Sequence, residues 1–284
     1  MAWCAARHAG GAFLVRMEDL TTGAVADRET EQLADLAALG LDRDGEVVRQ
    51  SERRAHYDAA IDRLVDAGRT YDCFCSRREI REAAAAPHAP SPVSEASEDG
   101  TYPGTCRDLS NADRARRRAE GRAPALRLRA DHMVVTAHDR RLGELELVVD
   151  DLVLRRADGV AAYHLAVVVD DALQGVTQVV RGDDLWTSTP RQVLLQQLLG
   201  LPTPEYLHVP LVLGPDGARL AKRHGSVTLA DRFALGERAE DVLGLLATSL
   251  GWAGPGERLD AAQVLERFDP DSLPREPWTL VAPR

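Results

Sequence analysis

Apolar residues follow two patterns along the chain. A continuous apolar run at residues 165–169 predicts a strand that is buried on both faces, and residues 176–180 (VTQVV) predict a second strand. Apolar residues at helical spacing predict four helices, over residues 2–8, 30–39, 53–67 and 191–199. Gly40, Gly68 and Gly200 follow three of them, where a left-handed residue commonly ends a helix. The alternation of strands and helices predicts an α/β fold.

The same patterns divide the chain into four parts. Residues 1–70 and 126–235 read as two portions of one α/β domain, and residues 236–284 as a short helical tail. Residues 71–125 read as an insertion. It contains a stretch rich in Ala, Pro and Ser, residues 83–100, which predicts a flexible loop.

Composition narrows the class of protein. The chain has 284 residues, 44% hydrophobic and 28% charged, with a net charge of −10. These values are typical of a soluble globular protein, and no apolar run is long enough to span a membrane. The acidic balance argues against a general nucleic-acid coat, although a local basic patch remains compatible with RNA binding. We expect a cytoplasmic monomer with no membrane partner.

The end of the second predicted strand carries a candidate ligand-binding residue. Residues 176–180 run directly into Arg181-Gly182-Asp183-Asp184, and a helix with Pro190 in its first turn follows. Ligands of open α/β sheets bind at the carboxyl ends of strands, so Arg181 is expected to face a ligand. Tyr163 opens the preceding predicted strand. Its side chain could bind a ligand or simply belong to the core.

A basic loop follows a predicted turn at Pro215-Asp216-Gly217. Residues 217–226 contain Arg219, Lys222, Arg223 and His224, and such a loop can bring positive charge to a polyphosphate.

Three of the four cysteines lie close together in the sequence. Cys73, Cys75 and Cys106 supply three thiolates, which indicates a metal site in a reducing compartment rather than a disulfide framework. A structural zinc site needs a fourth ligand. Spacing favours His88, and Tyr102 is the chemically less usual alternative.

Several of these segments resemble one family. Residues 15–20 (VRMEDL) resemble the "RIED" strand end of class I glutamyl-tRNA synthetases. Residues 163–171, 181–185 and 188–192 resemble the catalytic core of that family, and Arg219-Leu220-Ala221-Lys222-Arg223 resembles its "KMSKS" loop. Cys73, Cys75, Tyr102 and Cys106 match the zinc pattern of a stand-alone branch, the glutamyl-Q tRNA(Asp) synthetases.

The resemblance implies a Rossmann-like class I catalytic domain with a small zinc-binding insertion. ATP and glutamate would give glutamyl adenylate, and the glutamyl group would pass to the queuosine base in the anticodon of tRNA(Asp). Glu18, Tyr163 and Arg181 would hold the glutamate, with Arg181 facing its side-chain carboxylate. Lys222 would stabilise charge on the ATP phosphates, with Mg²⁺ as a further cofactor. On resemblance alone, Tyr102 is preferred to His88 as the fourth zinc ligand.

Two departures from the family pattern keep alternatives open. Ala221 stands where the family often has serine, and the first strand with its "HIGH" signature does not precede the predicted helix at residues 2–8. We therefore expect Met1 to be a false or truncated start. The alternatives are a discriminating glutamyl-tRNA synthetase without its C-terminal half, and an inactive remnant that still binds tRNA.

Overall fold

The computed structural model describes residues 1–20, 25–84, 102–220 and 228–280, which form an α/β protein. Ten helices lie within these residues: α1 (Ala2–His8), α2 (Val25–Ala38), α3 (Arg54–Asp66), α4 (Arg77–Ala84), α5 (Asn111–Ala119), α6 (Tyr163–Gln174), α7 (Thr189–Leu199), α8 (Leu229–Ala234), α9 (Ala239–Ser249) and α10 (Ala261–Glu266). Eleven strands lie within them as well: β1 (Arg16–Met17), β2 (Val48–Arg49), β3 (Thr70–Cys73), β4 (Ala125–Leu128), β5 (Val134–Asp139), β6 (Gly143–Val148), β7 (Val153–Arg155), β8 (Gln178–Gly182), β9 (Glu205–Val209), β10 (Val212–Leu213) and β11 (Trp278–Thr279).

The chain forms two units. The first unit comprises residues 1–49, 178–184 and 206–284, and the second comprises residues 50–177 and 185–205. None of the described helices is long and apolar enough to cross a membrane.

In the first unit, short parallel strands are joined through helices. β1 pairs in parallel with β2, and α2 provides the crossover that such a connection needs. β8 and β9 are neighbours in one sheet. The core of this unit forms where Trp3 and Cys4 of α1 pack with Leu243 of α9 and with Leu259 and Phe268.

The second unit combines antiparallel strands with three helices that pack against one another. β3, β4 and β7 form a three-stranded sheet, and β5 pairs with β6 as a hairpin. α3 packs against α6 and α7. The fully buried Asp170 of α6 accepts hydrogen bonds from Gln50, Arg53 and Tyr57 and so links this helix to the start of α3.

The strand predicted at residues 165–169 is wrong, because these residues belong to α6. Every residue from Leu165 to Asp170 is buried, so the helix is buried on all sides along this stretch. A continuous apolar run is equally compatible with a buried strand and a buried helix. The helix continues to Gln174 and ends at Gly175, which has the left-handed conformation.

Several other predicted elements are confirmed with small changes at their ends. α1 spans the predicted residues, α3 covers residues 54–66 of the predicted 53–67, and α7 ends at Gly200 with φ of 61°. The predicted turn has Gly217 at φ of 73°. The predicted helical tail contains α9 and α10 but also β11, which pairs in parallel with β10.

The loop predicted at residues 83–100 lies mostly outside the described residues, and its first two positions end α4.

Candidate active site and metal centre

Arg181 lies at the penultimate position of β8, close to the strand end where it was predicted. Its Nε–H donates a hydrogen bond to Nε2 of His208 at 3.0 Å. Its guanidinium carbon lies 5.4 Å from the centre of the Tyr206 ring, within the range of a cation–π contact. Tyr206 and His208 are both buried residues of β9. The end of β8 therefore presents the guanidinium of Arg181, which contacts the ring of Tyr206 and is hydrogen-bonded to His208.

The turn after Arg181 is tightly packed. A Cβ atom at Gly182 would lie 2.6 Å from Oδ1 of Asp184 and 3.1 Å from Cδ2 of Leu211, so a side chain here would displace the Asp184 carboxylate. The carboxylate of Asp184 in turn forms an ion pair with the guanidinium of Arg219 at 2.5 Å. The first basic residue of the predicted loop is thus linked to the turn that follows Arg181.

Leu220 is the last described residue of this segment. Ala221, Lys222 and Arg223 lie outside the described residues. The predicted role of Lys222 stays a prediction.

Glu18 and Tyr163, the other predicted glutamate-binding residues, lie in different units. Glu18 directly follows β1 in the first unit, which also contains Arg181, and its carboxylate lies 3.6 Å from the guanidinium of Arg16. Tyr163 belongs to the second unit, where it is the first residue of α6 and 42% exposed. Tyr163 was expected at the start of a strand; the structure instead places it on the first turn of a helix, where its ring meets the edge of His164 at 5.3 Å.

The three clustered cysteines converge in the second unit. The Sγ atoms of Cys73, Cys75 and Cys106 lie within 4.8 Å of one another, and Cys75 and Cys106 are 3.5 Å apart. Cys73 ends β3, which places it beside the loop that contains Tyr102 and Cys106. Cys73 and Cys106 are buried and Cys75 is partly exposed. Of the four cysteines, only Cys4 stands apart from this cluster, in the core of the first unit.

Tyr102 reaches the same cluster through its hydroxyl group. Its Oη lies 3.4 Å from Sγ of Cys73 and accepts a 2.9 Å hydrogen bond from the backbone N–H of Cys106. Three thiols and one phenol oxygen at this spacing fit a four-coordinate zinc ion, for which sulfur is a preferred ligand. His88, the alternative fourth ligand, lies outside the described residues.

A buried arginine stands next to this cluster. Arg127 is 7% exposed, and its guanidinium carbon lies 3.8 Å from the centre of the Tyr102 ring. Its Nη1 donates to the carbonyl of Asp151 at 2.8 Å, whereas its Nε has no hydrogen-bond partner among the described residues. Hydrogen bonds from Cys106 and Cys75 hold the pKa of the Cys73 thiol below its ordinary value, and the charge of Arg127 acts in the same direction. The surroundings of Cys73 therefore favour its thiolate, the form that binds metals, whereas the hydrogen bonds to Cys106 and Cys73 raise the pKa of the Cys75 thiol.

Sequence reasoning missed Arg127, Tyr206 and His208. Tyr206 and His208 are two residues apart in β9, and this spacing puts both on one face. Their partner is brought to them only by the pairing of β8 with β9, which the sequence does not specify. Arg127 lies more than fifty residues beyond Cys73 and reaches the cluster through the register of β3 with β4.

The comparisons with known proteins fit this architecture. Residues 1–274 match the family described as tRNA synthetases class I (E and Q), catalytic domain. A solved glutamate tRNA ligase from Elizabethkingia meningosepticum CCUG26117 superposes with a TM-score of 0.77 at 24% identity. The match covers 99% of this chain and 62% of that one. The fold is that of a class I aminoacyl-tRNA synthetase catalytic domain, as predicted.

Two curated relatives narrow this class. A glutamyl-Q tRNA(Asp) synthetase from Nocardia farcinica (strain IFM 10152) is 57% identical over 280 residues, which is 99% of this chain and 86% of the relative. One from Symbiobacterium thermophilum (strain DSM 24528 / JCM 14929 / IAM 14863 / T) is 45% identical over 294 residues, covering 99% of this chain and 90% of the relative. The chain belongs to the glutamyl-Q tRNA(Asp) synthetase branch of the class I family.

Proposed function

We propose that this protein activates glutamate with ATP and transfers the glutamyl group to the queuosine base in the anticodon of tRNA(Asp). The observation that carries the proposal is the extent of the match, because two glutamyl-Q tRNA(Asp) synthetases each align with 99% of the chain. The arginine at the end of β8 supports the choice of an anionic amino acid.

The activation step needs no protein nucleophile. The α-carboxylate of glutamate attacks the α-phosphorus of ATP, a bond forms between them, and pyrophosphate leaves with the electron pair of the broken bond. The protein then contributes positioning and electrostatic stabilisation. Arg181 pairs with the side-chain carboxylate, Glu18 and Tyr163 hold the rest of the amino acid, and Lys222 offsets charge on the phosphates. Mg²⁺ neutralises the phosphates when it is bound.

The thiol cluster is proposed to hold one structural zinc ion. Cys73, Cys75, Tyr102 and Cys106 would be its ligands, supported by the distances between their sulfur and oxygen atoms. A bound metal would fix the end of β3 to the loop before α5, as structural zinc does in small insertions.

Exchange of labelled pyrophosphate into ATP tests the proposal. With glutamate as the only amino acid, the exchange should proceed in the absence of tRNA. Exchange that requires tRNA would instead support a discriminating glutamyl-tRNA synthetase. No exchange under either condition would support an inactive remnant that retains a tRNA-binding surface.

A further inference from the structure

Arg181 is held by two buried side chains of the neighbouring strand. Tyr206 and His208 are separated by one residue in β9 and so lie on the same face, with their rings stacked at 6.0 Å and an interplanar angle of 18°. The guanidinium rests on Tyr206, and its Nε is bonded to His208, which has no exposed surface. Two independent contacts therefore determine where the guanidinium points.

The direction of the hydrogen bond fixes the state of the histidine. An arginine side chain has donors only and does not lose its proton in proteins, so Nε2 of His208 must be the acceptor. A neutral imidazole with one acceptor nitrogen carries its proton on the other nitrogen, Nδ1. A doubly protonated ring could not accept this bond.

A neutral acceptor differs in kind from the partner of Arg191, a buried arginine elsewhere in this protein. Arg191 is 5% exposed and pairs with the carboxylate of Asp150 at 2.7 Å, so its charge is compensated inside the fold. His208 orients Arg181 through a contact that adds no negative charge. The positive charge of Arg181 is therefore not diminished by this anchor.

We infer that His208 is a positioning residue for glutamate selection, which as a neutral acceptor holds the guanidinium of Arg181 in the orientation that pairs with the substrate carboxylate. This inference rests on the proposed function, in which Arg181 pairs with glutamate. It extends that function by assigning the orientation of the arginine to a second side chain.

Binding measurements on the full chain test the inference. Dissociation constants for L-glutamate and for ATP are measured by titration calorimetry for the wild type, His208→Leu, His208→Gln and Arg181→Ala. Leu fills the site without an acceptor, and the amide oxygen of Gln can replace Nε2. Loss of one hydrogen bond to a charged group corresponds to about tenfold weaker binding, which we expect for glutamate in His208→Leu. His208→Gln should restore binding, and ATP binding should be unchanged in both.

The outcomes separate the inference from the function on which it rests. If Arg181→Ala loses glutamate binding and His208→Leu does not, the inference is overturned and the proposed function stands. If Arg181→Ala binds glutamate like the wild type, or the wild type does not bind it, the proposed function fails and the inference with it. Equal weakening of ATP and glutamate in His208→Leu would show a structural role and overturn the inference.

Folding is checked by thermal melting of each variant. If His208→Leu does not fold, His208→Asn takes its place, because the shorter amide cannot reach the position of Nε2. A His208→Gln variant that melts like the wild type but binds glutamate as weakly as the loss variant would also overturn the inference.

Discussion

Two regions of this protein contain the same pair of side chains, an arginine over the ring of a tyrosine. In the first unit Arg181 lies 5.4 Å from the ring centre of Tyr206, and in the second unit Arg127 lies 3.8 Å from that of Tyr102. Both arginines come from strands, and both tyrosines are buried. The contact alone therefore does not decide what each arginine does.

The difference lies in burial and in the neighbouring groups. Arg181 is partly exposed at the end of a strand and is held by a neutral histidine. Arg127 is buried against the ring of Tyr102, whose hydroxyl group belongs to a cluster with three thiols that can bind a metal. A buried charge needs a compensating charge close by, whereas a cation at a surface cleft can serve a ligand. The first arginine thus suits substrate recognition, and the second suits the stability of the thiol cluster.

The largest effect is expected from Arg181→Ala. Removing this charge leaves the side-chain carboxylate of glutamate without a partner in the site, which should lower kcat/KM for glutamate in pyrophosphate exchange by about 10²- to 10³-fold. Binding of ATP should be retained. Arg54→Ala is the matched control, because Arg54 is an exposed arginine that pairs with Asp58 on α3. Near-normal glutamate activation by Arg181→Ala would contradict the assignment.

Substitutions in the thiol cluster should abolish metal binding. Purified protein is expected to contain about one zinc ion per chain, and Cys106→Ser should reduce this to nearly none, because three ligands do not close a structural site. Cys4→Ser provides the control, since this buried thiol lies in the core of the first unit. Metal content is measured by elemental analysis. Full retention of zinc in Tyr102→Phe would point to another fourth ligand, with His88 as the first candidate.

A smaller effect on the same metal is expected from Arg127→Met. Loss of the buried positive charge should weaken zinc binding by about 10- to 100-fold, as is usual for groups that support metal ligands from outside the coordination sphere. The affinity is measured by competition with a chelator. Arg129→Met is the control, because that guanidinium lies 5.0 Å from the Tyr71 ring rather than over Tyr102. Equal zinc affinity in the Arg127 and Arg129 variants would show that Arg127 does not support the metal ligands.

Local signals in the sequence predicted much of this fold. Gly200 ended a helix because an open left-handed position favours glycine, and Ser110 caps α5 by accepting the backbone N–H of Asp113. The Cys-x-Cys spacing predicted a cluster that the structure brings together. In each case the information lies within a few residues of the feature.

The failures arise where distant parts of the chain decide the outcome. Residues 165–169 lie in a helix whose Asp170 is bonded from the start of α3 and which packs against α3 and α7, so that each of these five residues is buried. Because no polar residues interrupt this apolar run, the sequence shows neither the helical nor the strand period, and the two structures cannot be distinguished from it. His208 and Arg127 acquire their neighbours through strand pairing between segments that are far apart in the chain, which residue spacing does not encode.

The central claim concerns the acceptor of the glutamyl group, and one transfer assay tests it most directly. Labelled glutamate and ATP are incubated with the protein and with tRNA(Asp) that lacks its 3′-terminal adenosine, prepared with and without queuosine. The account predicts label on the queuosine-containing tRNA(Asp) and none on the tRNA(Asp) without queuosine. Label attached to the 3′ end of intact tRNA(Glu), with none on either form of tRNA(Asp), would contradict it.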